Sequence, residues 1–148
     1  MAPLINGKNE MIHIQECSSE DIPILAMMNK QLIEDEKAEN VMTISELEKR
    51  MREFLRSNYK AYYFKENLNT IGYALCNISK DPIYLRQYFI KQEYRNKGYG
   101  KESFKNLLLY LNKTEIEIDV YSWNENGIKF WESLGFVHKY IHMNYKEE

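Results

Sequence analysis

Cysteine is scarce: Cys17 and Cys76 are the only two in 148 residues. They lie far apart and without metal-ligand spacing. Two unpaired structural thiols in a cytosolic protein fit this better than a disulfide. Proline occurs three times and glycine six, and no internal repeat or low-complexity segment is present. Neither sign of charge dominates. With a net charge of −2 and a pI near 6.0, the chain has no global attraction to nucleic acid or an anionic membrane. Long hydrophobic runs are missing too. The longest uncharged stretch near the N-terminus, residues 22–29, is too short to cross a bilayer, and no basic leader followed by an apolar segment opens the chain. The expectation is a cytoplasmic protein with no membrane, nucleic-acid or metal partner.

Charged residues at 28% and hydrophobic residues at 44% make an ordinary soluble balance. The length fits one domain over residues 1–148, with residues 1–10 loosely ordered. A chain of this size buries about 68–70% of its unfolded surface, enough for a real core. Residues 11–16 alternate, with Ile12 and Ile14 on one side, and read as a first strand. Ser18 or Ser19 caps a helix that tolerates Pro23 early and carries Leu25, Met28 and Leu32 on one face. Thr43 and Glu46 form a capping box before a second helix, whose apolar face holds Leu47, Met51, Phe54 and Leu55. Residues 61–65 and 71–79 read as a hairpin. Residues 115–121 alternate Ile116, Ile118 and Val120 with acidic side chains, Asn124 opens a helix that closes at Gly135, and residues 136–145 supply one strand or a bent pair.

The chain is organised around residues 83–111. Ile83, Leu85, Phe89 and Ile90 make a β-rich run. Arg95, Asn96, Lys97, Gly98, Tyr99 and Gly100 form a loop, and Phe104, Leu107, Leu108 and Leu111 recur on one helix face. Strand, glycine turn and helix together aim unpaired backbone N–H groups at an anion. Gly98 and Gly100 leave room for a phosphate to approach, and Arg95, Lys97 and Lys101 add positive charge. The loop has two glycines, where the dinucleotide fingerprint needs three, and the Walker pattern is absent. An ordinary tight turn would look the same.

Arg95-x-x-Gly98-x-Gly100, after a strand and before a helix, resembles the acyl-CoA signature of the GNAT superfamily of N-acetyltransferases. Residues 120–136, VYSWNENGIKFWESLGF, resemble that family's other common segment. The two blocks cover about a third of the chain, and the β-α-α-β-β-β-α-β-α-β order resembles the family along nearly its whole length. The resemblance implies an α/β fold, an α+β sandwich with a mixed, mostly antiparallel central sheet, a splayed parallel strand pair and about four helices. It also implies acetyl-CoA as co-substrate, no metal, and a primary amine of a small molecule or peptide as acceptor, attacked directly in a ternary complex. The alternative is a catalytically weak acyl-CoA-binding sensor, and a weaker third is a nucleotide-binding fold unrelated to the family.

Carried over by position, Tyr88 and Ile90 would offer backbone to the pantetheine arm, with Phe89 between them. The Tyr88 N–H would polarise the thioester carbonyl, a contribution often worth about 2.7–4 kcal/mol per donor. The loop from Arg95 through Asn96, Lys97, Gly98, Tyr99 and Gly100 to Lys101 would hold the pyrophosphate. Asn124, Asn126, Phe130 and Trp131 would line the sulfur end, although Asn124 serves equally as a plain helix cap. Many members carry a proton-donating Tyr where Trp131 stands, and an indole cannot do that work. Tyr99, Tyr121, Tyr140 and Tyr145 are open replacements. Some members place a Glu on the central strand where this chain has Tyr84. Asp35 is the candidate base, with Glu34 and Glu36 attracting a cationic amine and Arg86 and Gln87 beside the acceptor; a solvated helix end explains the acidic run as well. Arg86 could pair an acceptor carboxylate or a structural partner. The aromatic C-terminal strand is a candidate homodimer interface.

Overall fold

The protein is described by a computed structural model over residues 12–148. The expected loose start over residues 1–10, and Met11 of the expected first strand, lie outside the described residues. In chain order the elements are β1 (Ile12–Glu16), α1 (Ile22–Asp35), α2 (Ile44–Leu55), β2 (Tyr59–Glu66), β3 (Asn69–Asn77), β4 (Ile83–Ile90), α3 (Tyr99–Leu111), β5 (Ile116–Ile118) and α4 (Glu125–Ser133). The helix starts follow the polar signals. Ser18 and Asp21 bond reciprocally before α1, and Thr43 and Glu46 do the same at α2, each satisfying backbone donors that the helix leaves open.

The sheet runs β1-β2-β3-β4-β5. The first three pairings are antiparallel and β4–β5 is parallel, the mixed sheet expected from the sequence. Helices cover both faces. One layer gathers Phe64, Ile71, Leu85, Ile90, Phe104 and Leu107 beneath α3, with Trp131 of α4 against it. The other gathers Leu25, Met28, Met51, Tyr73, Leu75 and Phe89 beneath α1 and α2.

One irregularity in β4 positions everything that follows. Leu75 stands opposite Gln87, yet Cys76 stands opposite Leu85. Arg86 is therefore an extra residue, a β-bulge, and it reverses the alternation of the strand. Ile83 and Leu85 face the α3 layer. With an unbroken period of two Phe89 would share that face; instead Ile90 and Tyr88 join the α3 layer and Phe89 joins the other. Just beyond the bulge the β3 and β4 backbones come very close: a Cβ on Gly72 would collide with the Phe89 carbonyl oxygen.

Two expectations change here. The strand foreseen over residues 115–121 is only Ile116–Ile118. It pairs with β4 from Ile83↔Ile116 to Leu85↔Ile118 and no further, because β4 bends away at Arg86 and residues 119–121 lose their partner. Residues 136–145, expected as a strand, form none. Within one chain the tail touches the fold through the ion pairs Lys139–Glu117 and His138–Glu132. Val137, Tyr140, Ile141, Met143 and Tyr145 are all exposed, so the segment's apolar side chains cover nothing within the described residues.

Candidate active site

Beyond Leu85 and Ile118 the parallel pair opens, and one side of β4 is left without a neighbouring strand. The hydrogen bonds show which backbone groups face the gap. Lys91 donates its N–H to the Ile71 carbonyl at 2.8 Å, so Lys91 points toward β3. Strand backbone alternates, which turns Tyr88 and Ile90 the other way, toward the gap. The Ile90 carbonyl there accepts from Arg95 Nε at 2.7 Å.

The loop that follows is shaped by two left-handed residues, Asn96 (φ 61°) and Gly98 (φ 86°). Gly98 is the N-cap of α3 and supplies no side-chain cap, so the first N–H groups of α3 stay available to an anion. Gly100 has a packing reason beside the one foreseen. A Cβ there would meet the Phe130 ring at 3.1 Å, so Gly100 lets α4 pack on the start of α3. Lys97 donates to the Glu93 carbonyl, Tyr99 donates to Glu66 Oε2 at 2.7 Å, and Lys101 is exposed.

On the α3 side of the gap the environment is aromatic. The Tyr88 ring lies within 5.1–6.3 Å of the Phe64, Phe104, Phe130 and Trp131 rings, and its hydroxyl donates to the Gly100 carbonyl at 2.5 Å. Enclosure pushes that phenol well above its ordinary pKa, so it keeps its proton. Trp131 also packs on Phe136. Asn124 caps α4, accepting from Gly127 N–H at 3.0 Å, and a Cβ at residue 127 would press on that capping side chain. The capping role is thus seen directly. Asn126 is exposed on the first turn of α4.

The acidic run divides three ways. Asp35 is engaged at both oxygens: Arg95 donates to Oδ2 at 2.6 Å and Gln31 to Oδ1 at 2.8 Å. Arg95 also lies 5.4 Å over the Phe89 ring, so this pair fastens the glycine loop to the end of α1. Glu34 is exposed. Glu36 is partly buried, and burial followed by the charge of Asp35 raises its proton affinity above the ordinary carboxylate value. Its carbonyl accepts from Trp123 Nε1 at 3.0 Å, and Trp123 stacks on Tyr121 at 4.6 Å. Together Asp35, Glu36, Lys37, Trp123, Asn124, Glu125 and Asn126 line a cleft of about 230 Å³. A larger depression of about 430 Å³ lies at the opposite end of the sheet, around Cys17, Arg52, Tyr59 and Ile78, away from the gap and the glycine loop.

Under the α1–α2 side sits a polar group of which the sequence singled out only Gln87. Arg50 donates to Asn29 Oδ1 at 3.0 Å, and Tyr73, fully buried, donates to Gln87 Oε1 at 2.7 Å. Tyr84 donates to Asp119 Oδ2 at 2.8 Å across the opening strands, so a carboxylate does come near the position where Tyr84 stands, but from β5's extension. Asn29, Arg50 and Asp119 are outside the two motif blocks, and only the folded sheet brings them near the gap. Of the four candidate phenols, Tyr121 stacks on Trp123 of the cleft, Tyr99 is bound to Glu66, and Tyr140 and Tyr145 lie on the exposed tail.

A family model described as the acetyltransferase (GNAT) family matches residues 26–136. A possible acetyltransferase from Clostridium difficile 630 superposes with a TM-score of 0.73 at 18% identity, covering 93% of this chain and 98% of its own. The aminoglycoside N-acetyltransferase AAC(6')-Iy, in a complex with CoA, gives 0.71 at 15% identity over 92% and 94%. An acetyltransferase from Thermus thermophilus gives 0.70 at 13% identity over 86% and 87%.

The Arg95 contacts predict an order of stabilities. Asp35 and Arg95 are about a third exposed in their side chains, so Asp35→Asn should cost about 1 kcal/mol or less. Arg95→Ala should cost more, because it also removes the bond to the Ile90 carbonyl and the Phe89 contact. Urea unfolding of both variants measures this; equal losses would mean that the ion pair alone holds the loop.

Proposed function

The chain belongs to the GNAT acetyltransferase family, and from that premise we propose that it moves an acetyl group from acetyl-CoA to a primary amine of a small molecule or peptide, by direct attack in a ternary complex in the cytoplasm. The observation that carries this is the open side of β4: Tyr88 and Ile90 turn their backbone into the gap, one loop away from an uncapped α3 N-terminus at Gly98. Such a strand edge suits the amide groups of a pantetheine arm, and such a helix start suits a pyrophosphate. Asn96 to Lys101 hold the phosphates, the Tyr88 N–H faces the thioester oxygen, and the rings of Phe130 and Trp131 keep the sulfur end dry. Acetyl-CoA supplies the acyl group; the protein supplies position and an oxyanion donor.

The acceptor must shed a proton, since an alkylammonium has a pKa of about 10.4. Asp35 was the candidate base, but both its oxygens are engaged. Glu36 takes the role, because a partly buried carboxylate with raised proton affinity is the better base near neutral pH. The departing thiolate, with the free cysteine value of about 8.5 as a guide, leaves tolerably without an acid. Tyr121 is the phenol best placed to help.

Calorimetric titration with acetyl-CoA, with Gly98→Asp alongside, tests the cofactor half. Micromolar binding lost in the variant is expected, since residue 98 would gain a carboxylate and a Cβ in a left-handed conformation that favours glycine. No binding by the unaltered chain would overturn both the transferase and the sensor readings. Turnover then separates those two: release of CoA with an amine supports the enzyme.

For Glu36 the sign follows from the direction of its shift. The base works ionised, so activity should climb with pH through a limb above the ordinary carboxylate range. Glu36→Gln should remove that limb and lower kcat by about 10²–10⁴-fold. A limb that survives the substitution would assign it to another group.

The exposed apolar side chains of the tail support a homodimer, in which residues 137–145 of each copy are covered by the other. Light scattering on the full chain and on one ending at Gly135 should give a dimer and a monomer; a monomer in both cases would leave the tail without that role.

A further inference from the structure

The α1–α2 side of the gap carries two guanidinium groups that form no ion pair among the described residues. Arg86 is the bulged residue of β4. It is exposed, and its guanidinium lies 5.1 Å over the Phe54 ring and 5.9 Å over the Tyr59 ring. Its polar contact is a long one, 3.4 Å to the Tyr59 hydroxyl. Arg50, from α2, lies 5.6 Å from the centre of the same Phe54 ring. One of its nitrogens reaches Asn29, while its Nε is buried without a hydrogen-bond partner.

Ion pairs among the described residues join Lys60 to Glu16, Arg95 to Asp35, His138 to Glu132 and Lys139 to Glu117, and neither arginine takes part in one. The two are also close enough to disfavour each other: burial, and then the charge of Arg86, hold Arg50 below the ordinary guanidinium value. A charge part-buried and crowded as that of Arg50 is costly unless something compensates it. Both guanidiniums are steadied by the same ring, which sets their planar forks in place before any ligand arrives. A planar oxyanion is the group that such forks match, and the fit is often bidentate. Tyr121 is close enough to influence Arg50 electrostatically. Tyr121 stacks on Trp123, and Trp123 is bonded to Glu36. The arginines therefore share the acceptor side with Glu36.

We propose that the acceptor is an amino acid-like molecule carrying both an amine and a carboxylate, with the carboxylate received by Arg86 and Arg50 and the amine directed toward Glu36. This deepens the transferase function proposed above and rests on it. It takes up the carboxylate pairing that the sequence left open for Arg86, and adds it to the amine. The acidic run pointed to a cationic acceptor, but Asp35 is spent on Arg95 and Glu34 faces solvent, whereas both arginines remain without a counter-charge among the described residues.

The test compares amines that differ only in the carboxylate. CoA release would be followed with lysine against cadaverine, tyrosine against tyramine, histidine against histamine and glutamate against 4-aminobutyrate, in which one of two carboxylates is lost. The expected result is one pair or more with kcat/KM at least about tenfold higher for the member with the α-carboxylate, the scale of a lost charged hydrogen bond. Arg86→Gln should erase that preference by raising KM for the carboxylate member alone, and Arg86→Lys should restore part of it. Acetyl-CoA affinity should stay unchanged, which also reports a folded protein. Equal turnover of both members, preference for the decarboxylated one, or an Arg86→Gln loss shared equally by both would overturn this proposal and leave the transferase intact. No turnover of any pair with acetyl-CoA still bound would overturn the transferase function and the proposal together.

Discussion

Everything the molecule can do at its centre depends on one extra residue in β4. Had the strand kept its period of two past Leu85, it would have continued alongside β5 and closed its backbone in ladder bonds. The bulge at Arg86 prevents that. It bends the strand, stops the parallel pairing at Leu85↔Ile118, and leaves the groups of Tyr88 and Ile90 facing a gap. Unpaired backbone groups are costly when buried, so a gap of this kind persists only where a ligand, water or a side chain can fill it. Arg95 already serves one of these groups by donating to the Ile90 carbonyl. The same phase reversal sends the Tyr88 ring into one layer and Phe89 into the other.

From this follows a division of labour across the sheet. The α3 side is packed with rings, Tyr88, Phe104, Phe130, Trp131 and Phe136, whose polar tips are few. It is a dry wall, suited to a thioester that must be shielded from water. The α1–α2 side is polar at its base, with Asn29, Arg50, Tyr73 and Gln87 linked in pairs beneath an exposed Arg86. A low-dielectric setting strengthens whatever charged contact is completed there and penalises any that is not. In the proposed reaction, acyl donor and amine would thus approach one strand from its two faces.

Much of this was legible in the sequence because local patterns carried it. A serine cap signal placed the approach to α1, a capping box placed α2, glycine spacing placed the start of α3, and alternation placed most of the sheet. Phe89 and Ile90, adjacent and both apolar, were a visible break in the alternation of β4, but adjacent apolar residues also suit a strand buried on both faces. The bulge itself depends on the register against β3, which no local pattern encodes. The polar group beneath the gap is hidden for a similar reason, since Asn29, Arg50, Tyr73 and Gln87 come from four different elements. The partner of Asp35 was hidden because an acidic residue at a helix end looks the same whether it faces solvent or, as here, meets an arginine sixty positions away. The tail misled in the opposite way: its strand-like composition is real, but it makes no ladder with the open edge of β5, which it reaches only through the Lys139–Glu117 ion pair.

Two carboxylates near the gap compete for the role of base, and their surroundings separate them. Asp119 is exposed and accepts a hydrogen bond from the Tyr84 hydroxyl. Tyr84 is held above its ordinary pKa by burial and then by that bond, so the phenol stays protonated and continues to donate. A carboxylate occupied in this way has one oxygen committed and water on the other side. Glu36 is less exposed, sits beside the acidic Asp35, and binds its proton more tightly than an ordinary glutamate. Stability carries the matching sign: the folded state holds the Glu36 proton more firmly than the unfolded chain, so ionising Glu36 costs stability as pH rises through its folded value. The fold accepts a cost at a partly buried position where a neutral side chain would avoid it. A carboxylate strained in this direction gains from taking up a proton, and a cationic amine entering the cleft brings one.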